Sequence, residues 1–313
     1  MRLSIVTTLY RSAPYVEEFC RRATAAVRAL VDDNYEIILV NDGSPDDSLE
    51  LAVQQSQADW HVTVVDLSRN FGHHKAMMTG LAHASGDLIF LIDSDLEEEP
   101  EWLLEFRDLL RRNNCDVVYG VQKQRKGGIF ERLSGHIFYK ILRMLTHLDI
   151  PSNIVVARLM TKRYVQALLL HAEREVFIAG LWACTGFDQY AHTVVKHSTS
   201  KTTYTPARKL AQLIDSITSF SNIPLIGIFV IGCLVTLISG LYSTYLIFHW
   251  LFFASPPSGW TSVITSIWLL GGVIIAFIGI IGIYLSKIFS ETKQRPYTIV
   301  RQVYKSASHR EVS

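Results

Sequence analysis

Short apolar segments alternate with longer amphipathic segments along the first 120 residues of the chain. Four of the short segments are rich in β-branched residues, as buried strands typically are: "LSIVTTLY", "YEIILVND", "VTVVDLS" and "DLIFLID". The segments between them, among them "APYVEEFCRRATAAVRAL" and "HHKAMMTGLAHAS", predict helices, and "SPDDSLELAVQQSQ" predicts a helix that Ser44 caps and Pro45 opens. This alternation indicates an α/β fold with a parallel sheet covered by helices on both faces.

The pattern changes in the last third of the chain. Between Asp215 and Lys287 there is no Asp, Glu, Lys or Arg, and two apolar segments, at about 223–253 and 261–288, flank the turn-forming sequence "SPPSGW". About 25 helical residues rise about 37 Å, which exceeds a bilayer core of ~30 Å. The pattern therefore predicts two transmembrane helices. The alternative, a buried helical hairpin, would have to cover both segments on every face.

The charges around these segments predict their orientation. The short connecting loop has no Lys or Arg, whereas both outer flanks are basic, so the positive-inside rule places both termini in the cytoplasm. The flanking residues are Lys201, Arg208 and Lys209 before the first segment, and Lys287, Lys293, Arg295, Arg301, Lys305 and Arg310 after the second. The predicted organisation is a cytosolic domain (1–204), a juxtamembrane amphipathic helix (205–221), two transmembrane helices (222–289) with an outward loop at about 254–260, and a basic cytosolic tail (290–313).

Composition narrows the classes of partner. The chain has 30 Lys and Arg against 29 Asp and Glu, so its net charge gives no reason to expect nucleic acid as a partner. Four scattered cysteines with no CxxC pair fit a reducing compartment and no structural zinc. At about 128–147, apolar residues at helical spacing alternate with cations, which predicts an amphipathic helix at an anionic membrane surface. The same pattern also suits a helix packed on the sheet.

Five carboxylates within seven residues follow the fourth predicted strand, in "LIFLIDSDLEEEP". Ligands of parallel α/β sheets bind beyond the carboxyl ends of the strands, which is where Asp42, Asp93 and Asp95 fall. An Asp-x-Asp pair supplies hard oxygen ligands that suit Mg²⁺ or Mn²⁺ on a diphosphate. Alternatively, Asp93 caps the helix that follows. The glutamates are assigned to the start of that helix, where acidic residues are favoured: Glu98, Glu99 and Glu101.

Four segments in this order resemble the family 2 glycosyltransferases of GT-A fold: "SIVTTLYRSAPYVEEF", "ILVNDGSPDDS", "LSRNFGHHKAMMTGL" and "GDLIFLIDSDLEEEP". The likeness is greater to the branch that loads a sugar onto a polyprenyl phosphate, such as the dolichyl-phosphate mannose synthases and bactoprenyl glucosyltransferases. It continues in "SFSNIPL" and "GIYLSKIFSETKQRPY", and so extends over nearly the whole chain. The resemblance implies a Rossmann-like GT-A cytosolic domain.

The resemblance also implies a UDP- or GDP-linked sugar donor and roles for individual residues. Asp42 would bind the base or ribose, and Asp93 and Asp95 would bind the sugar and the metal, acting in catalysis with Arg158. The implied donor-site residues are Thr8, Leu9, Tyr10, Asp42, Arg69, Asn70, Lys75, Asp93, Ser94 and Asp95. From the residues alone, Asp42 also suits an Asx-turn with Gly43, and Arg69 also suits a plain surface position. His73 and His74 are assigned to the start of a helix.

One departure from the family bears on the acceptor. Where the family usually reads Gly-Asp-Phe-Arg-Leu, this chain has Val155, Val156 and Ala157 before Arg158, so an Asp commonly taken as a base or sugar contact is absent. A hydroxyl acceptor needs a base, whereas a phosphate monoester, with a second pKa near ~6, is already largely dianionic. The predicted acceptor is therefore a polyprenyl phosphate. Its predicted cationic contacts are Arg125, Arg158, Lys196 and Lys201, and Asp188 is the nearest candidate to replace the lost Asp.

These inferences predict an inverting, metal-dependent glycosyltransferase at the cytoplasmic face of a bacterial inner membrane. It would move one sugar to undecaprenyl phosphate for envelope or O-antigen glycan synthesis. Two alternatives stay open: a hydroxyl acceptor on a lipid-linked glycan, and a catalytically silent membrane scaffold that binds a nucleotide sugar. Glycines in both apolar segments suit close helix packing, and a homo-oligomer is expected.

Overall fold

The computed structural model describes residues 1–122, 144, 153–171, 173–174, 176–197, 217–218, 221–253 and 259–306. The chain forms two compact units. The first contains Met1–Arg143, Leu148–Thr205 and Arg295–Ser313, and the second contains Met144–His147 and Pro206–Gln294.

The first unit is built on one eight-stranded sheet with the order β7-β5-β6-β4-β1-β2-β3-β8. Its strands are β1 (Leu3–Leu9), β2 (Tyr35–Asn41), β3 (Val62–Leu67), β4 (Leu88–Leu91), β5 (Val117–Gln122), β6 (Ile154–Thr161), β7 (Gln189–Val194) and β8 (Val300–Tyr304). Its described helices are α1 (Val16–Val31), α2 (Ser48–Ala58), α3 (His73–His83), α4 (Trp102–Asn113), α5 (Lys162–Leu168) and α6 (Ile178–Cys184). The predicted α/β fold, with its first four strands and the helices between them, is confirmed.

The direction of each strand decides which loops meet. β1, β2, β3 and β4 run parallel to one another. β6 is antiparallel to both β4 and β5, and β7 is parallel to β5. Consequently β5 and β7 run in the same direction as β1–β4, and their carboxyl ends lie at the same edge of the sheet, which is also where β6 begins.

The structure corrects two predictions made from the sequence for this unit, the start of α2 and the assignment of residues 300–304. The helix α2 begins at Ser48 after Asp47, so the prediction that Ser44 caps it is wrong. Ser44 instead accepts a hydrogen bond from the backbone N–H of Arg11, because its loop turns back toward the end of β1. Residues 300–304, which the sequence placed in a tail, form β8, an antiparallel edge strand beside β3.

The second unit contains two long helices, α7 (Ile223–Phe253, 31 residues) and α8 (Trp260–Thr292, 33 residues). Within the described residues, one helical stretch, Leu269–Thr292, is long and apolar enough to cross a membrane, and Ile223–Val235 is a shorter apolar stretch. One candidate span is therefore found where the sequence predicted two. The predicted helix at about 128–147, most of the predicted helix at 205–221 and most of the loop at about 254–260 lie outside the described residues.

Candidate active site

The residues predicted to bind the donor gather at the carboxyl edge of the sheet. Thr8, Tyr10, Asp42 and Asn70 line one cavity of about 120 Å³, together with two residues that start α3, Gly72 and His73. Leu9 does not line it. Its side chain is completely buried in the core below, and its backbone carbonyl accepts the N–H of Asp42.

Asp42 organises this cavity. Its side chain is buried, and its two carboxylate oxygens accept the backbone N–H groups of Phe71 at 2.7 Å and Gly72 at 3.0 Å. Burial raises the pKa of Asp42 above its ordinary value, although both N–H groups oppose the shift. A side-chain hydrogen bond within this loop is made by Asn41, whose side-chain oxygen accepts the N–H of Ser44, three residues further along the chain. Because each carboxylate oxygen has two lone pairs, Asp42 can accept further hydrogen bonds from a ligand in the cavity.

Gly43 lets two loops come into contact. Its φ is +58°, and a Cβ built on it would lie 2.4 Å from the backbone carbon of Arg69 and the backbone nitrogen of Asn70. Any other residue would push the loop after β3 away from the cavity. Arg69 itself is exposed, and its guanidinium lies 4.1 Å from the ring centre of Phe71.

His73 connects the cavity to the Asp-x-Asp pair. It is the first residue of α3, as predicted, and its Nδ1 lies 2.9 Å from the hydroxyl of Thr8. Its Nε2 lies 3.3 Å from a carboxylate oxygen of Asp93. The sequence prediction did not include this bridge, because it depends on three loops meeting at one edge.

Asp93 and Asp95 lie just beyond β4, as the sequence predicted. Asp95 accepts the backbone N–H of Glu97, and burial followed by the neighbouring charge of Asp93 raises the pKa of Asp95. Between them, Ser94 is buried and donates to the backbone carbonyl of Thr8. The two carboxylates therefore occupy a loop that is fixed to β1, and their oxygens are the ligands that Mg²⁺ and Mn²⁺ prefer.

Glu98 does not have the role that the sequence predicted. The helix α4 begins only at Trp102, and Glu98 is completely buried. Its carboxylate accepts the backbone N–H groups of Val156 at 3.1 Å and Ala157 at 2.8 Å. The pairing of β4 with β6 ends at Arg158, so these N–H groups have no partner on β4 and Glu98 supplies one. Burial, and then the nearby charge of Asp93, raises the pKa of Glu98 above its ordinary value, against the effect of Lys196 and the two N–H groups.

The other two glutamates stay near the surface. Glu99 pairs with His197 at 2.7 Å, and Glu101, directly before α4, pairs with Arg22 at 2.6 Å.

Arg158 does not fit the predicted contact with a lipid phosphate. It is completely buried in β6, and its guanidinium lies 2.9 Å from the ring centre of Trp182. A side chain enclosed in this way has no surface to offer a lipid headgroup. Val155 and Ala157 likewise belong to the hydrophobic core, so this part of the strand serves packing.

The remaining predicted residues fall in different places. Lys196 follows β7 at the carboxyl edge of the sheet, and its ammonium contacts the carboxylates of Asp93 and Glu97. Lys75 lies in the first turn of α3 and is not among the residues that line the cavity. Asp188 precedes β7, and its carbonyl accepts the N–H groups at the start of β5, so it lies at the opposite edge and cannot replace the lost Asp. Arg125 and Lys201 lie outside the described residues.

Comparison with known proteins identifies the class of protein. The pattern of glycosyl transferase family 2 matches residues 4–169. A Mycobacterium tuberculosis (strain CDC 1551 / Oshkosh) protein grouped with the glycosyltransferases is 53% identical over 306 residues, which is 98% of this chain and 89% of that protein. The chain therefore belongs to glycosyl transferase family 2, and it is a glycosyltransferase.

Two further proteins are similar to this chain. The SfII prophage-derived bactoprenol glucosyl transferase of Shigella flexneri is 29% identical over 308 residues, covering 97% of this chain and 99% of that protein. Among solved structures, glucosyl-3-phosphoglycerate synthase from Mycobacterium tuberculosis, in complex with Mn²⁺, UDP-glucose and phosphoglyceric acid, aligns with a TM-score of 0.47 and 19% identity, over 70% of this chain and 79% of that chain.

Proposed function

We propose that this glycosyltransferase moves one sugar from a nucleotide-sugar donor to a polyprenyl phosphate at the cytoplasmic face of a membrane. The observation that carries the proposal is the contact, at 3.3 Å, between Asp93 of the Asp-x-Asp pair and His73, which lines the cavity together with Asp42. This arrangement suits a nucleoside in the cavity and its diphosphate over the two carboxylates.

A divalent cation, Mg²⁺ or Mn²⁺, fits this edge of the site. Carboxylate oxygens of Asp93 and Glu97 already face a cation, the ammonium of Lys196, at 3.9 and 3.4 Å. When bound, the metal would neutralise the negative charge that develops on the departing diphosphate. Asp93 and Asp95 would hold it, while His73 orients Asp93 from the side of the cavity.

The side chains of β6 bear on the chemistry of the acceptor. The strand carries no carboxylate at Val155, Val156 or Ala157, so it supplies no base for a hydroxyl acceptor. A phosphate dianion needs no base: its oxygen attacks the anomeric carbon as the bond to the diphosphate breaks on the opposite face, which inverts the configuration. The similarity to a bactoprenol glucosyl transferase supports a polyprenyl acceptor.

We further propose that α7 and α8 both span the membrane, with the first unit in the cytoplasm. Helices of 31 and 33 residues are about 46 and 50 Å long, more than a bilayer core of ~30 Å needs. Large apolar side chains on both are exposed, such as Phe229 at 71% and Ile275 at 72%, as lipid-facing residues are. The basic flanks favour cytoplasmic termini.

The test uses the full chain, purified in detergent, with Mn²⁺, undecaprenyl phosphate and a panel of UDP- and GDP-sugars. We expect one donor to release its nucleoside diphosphate only when the lipid is present, and EDTA to abolish the release. Release that requires a glycan hydroxyl in place of the lipid phosphate would contradict the proposed acceptor. Nucleotide-sugar binding with no release from any donor would favour a silent scaffold.

Gly43→Ala is expected to weaken nucleotide binding at least tenfold. Its Cβ would meet backbone atoms of Arg69 and Asn70 at 2.4 Å, and backbone can yield only by moving the loop that lines the cavity. Isothermal titration with UDP and GDP measures the change. Gly186→Ala is the matched control, since Gly186 also has a positive φ, of +73°, but nothing lies within 4 Å of its added Cβ. Equal affinities for the two variants would show that the contact does not matter.

A further inference from the structure

The ammonium of Lys196 lies among three carboxylates of the segment between β4 and α4, residues 92–101, which contains Asp93 and Asp95 and is called the Asp-x-Asp loop below. Its Nζ is 3.4 Å from an oxygen of Glu97, 3.5 Å from one of Glu98 and 3.9 Å from one of Asp93. All three distances exceed the usual 2.7–3.2 Å of a direct hydrogen bond. The ammonium is therefore held between the carboxylates by charge, without a tight bond to any one of them.

Two features of the fold hold Lys196 there. Lys196 follows the carboxyl end of β7, which runs in the same direction as β4. The loops that follow β4 and β7 therefore lie at the same edge of the sheet. The next residue, His197, donates its backbone N–H to the carbonyl of Glu97 at 2.9 Å, which ties the two loops together. The side chain of Lys196 is only 19% exposed, so it occupies the inside of the loop cluster.

Lys196 keeps its charge in this position. Carboxylate oxygens of Glu97, Glu98 and Asp93, at 3.4, 3.5 and 3.9 Å from its Nζ, favour the charged ammonium form of Lys196. A permanent positive charge thus lies where the carboxylates converge. A divalent cation bound by Asp93 and Asp95 would need oxygens at about 2.0–2.1 Å in the case of Mg²⁺, and the two cations would repel each other at such short range.

We propose that Lys196 competes with the divalent metal for the carboxylates of this loop, so that metal entry requires the ammonium to be displaced. Lys196 is then a positioning residue: it keeps the acidic loop together by charge and holds metal affinity low until a nucleotide diphosphate adds its own oxygens. The inference rests on the proposed function, because it takes Asp93 and Asp95 as metal ligands.

The test measures Mn²⁺ affinity directly on the full chain in detergent, from the paramagnetic resonance signal of free Mn²⁺. Without nucleotide, Lys196→Met is expected to bind Mn²⁺ at least tenfold more tightly than the wild type. With saturating UDP or GDP the difference is expected to shrink, because the diphosphate itself helps to displace the ammonium. Lys196→Arg keeps the charge and is expected to keep the wild-type affinity.

Lys162→Met is the matched control, because Lys162 is exposed and its ammonium donates to the carbonyl of Ser85; its Mn²⁺ affinity should equal that of the wild type. Lys196→Gln serves the same comparison if Lys196→Met does not fold. Equal or weaker Mn²⁺ binding by the neutral variants would overturn the competition while leaving the proposed function standing. No Mn²⁺ binding by any protein, with or without nucleotide, would overturn both.

Discussion

Asp95→Asn is expected to lower sugar transfer about a thousandfold while the protein stays folded. The substitution removes one negative charge from the ligands proposed for the metal. Metal stabilisation of a transition state amounts to several kcal/mol, and each 1.36 kcal/mol changes the rate tenfold. The fold should tolerate the change, because the structural contact of Asp95 is its acceptance of the Glu97 N–H, which the amide oxygen of Asn can also accept.

The measurement is steady-state release of nucleoside diphosphate in the presence of undecaprenyl phosphate, with thermal unfolding recorded in parallel. Asp108→Asn is the matched control, since Asp108 is exposed on α4 and pairs with its neighbour Arg107. Its transfer rate should equal that of the wild type. If Asp95→Asn turned over within about threefold of the wild type, Asp95 would not act on the diphosphate.

The parts of this site that the sequence predicted well are local in the chain. Asp42 follows β2 directly, and Asp93 and Asp95 come two and four residues after the end of β4. A parallel sheet brings all strand ends of one kind to one edge. Strand pattern and the Asp-x-Asp spacing were therefore sufficient to locate the carboxylates. The glycosyltransferase class followed from the order of four motifs, which family comparison confirms.

The parts that the sequence did not predict depend on contacts between distant residues. Glu98 lies in an acidic run that suits a helix start, and only its contact with Val156, 58 residues away, gives it a different role. Arg158 is the residue type that the family motif has at this position. Its burial against the ring of Trp182 depends on how α6 packs against β6, which the motif does not predict. Lys196 was predicted to contact the lipid phosphate, and its contacts with the carboxylates of Asp93, Glu97 and Glu98 depend on the direction of β7.

The strand β8 is a further long-range feature. Arg301 in β8 lies 3.3 Å from a carboxylate oxygen of the buried Asp66, whose other oxygen accepts the side-chain amide of Asn41. Asn41 in turn holds the loop that contains Asp42. The segment after α8 is thus joined to the second strand of the sheet, next to the cavity. A tail identified by its basic composition alone gives no sign of this contact.

Glu98→Ala is expected to destabilise the first unit by roughly 2–4 kcal/mol, because the backbone N–H groups of Val156 and Ala157 would lose their acceptor inside the protein. In a domain of this size that corresponds to a fall of about 5–15 °C in the unfolding midpoint. Lys196 would also lose one of its three carboxylates, so the link between the Asp-x-Asp loop and β7 should loosen. Glu98→Gln retains one acceptor oxygen and is expected to lose about half as much stability.

Thermal unfolding in detergent, followed by near-ultraviolet circular dichroism, measures both variants. Glu105→Ala provides the matched control, since Glu105 is 59% exposed and pairs with His192 at the surface, where such pairs contribute about 0–1 kcal/mol. A midpoint for Glu98→Ala no lower than that of Glu105→Ala would mean that water reaches the two N–H groups and replaces the carboxylate. If instead the loss is large, Glu98 is a structural residue whose carboxylate connects the loop that contains Asp93 and Asp95 to the strand β6.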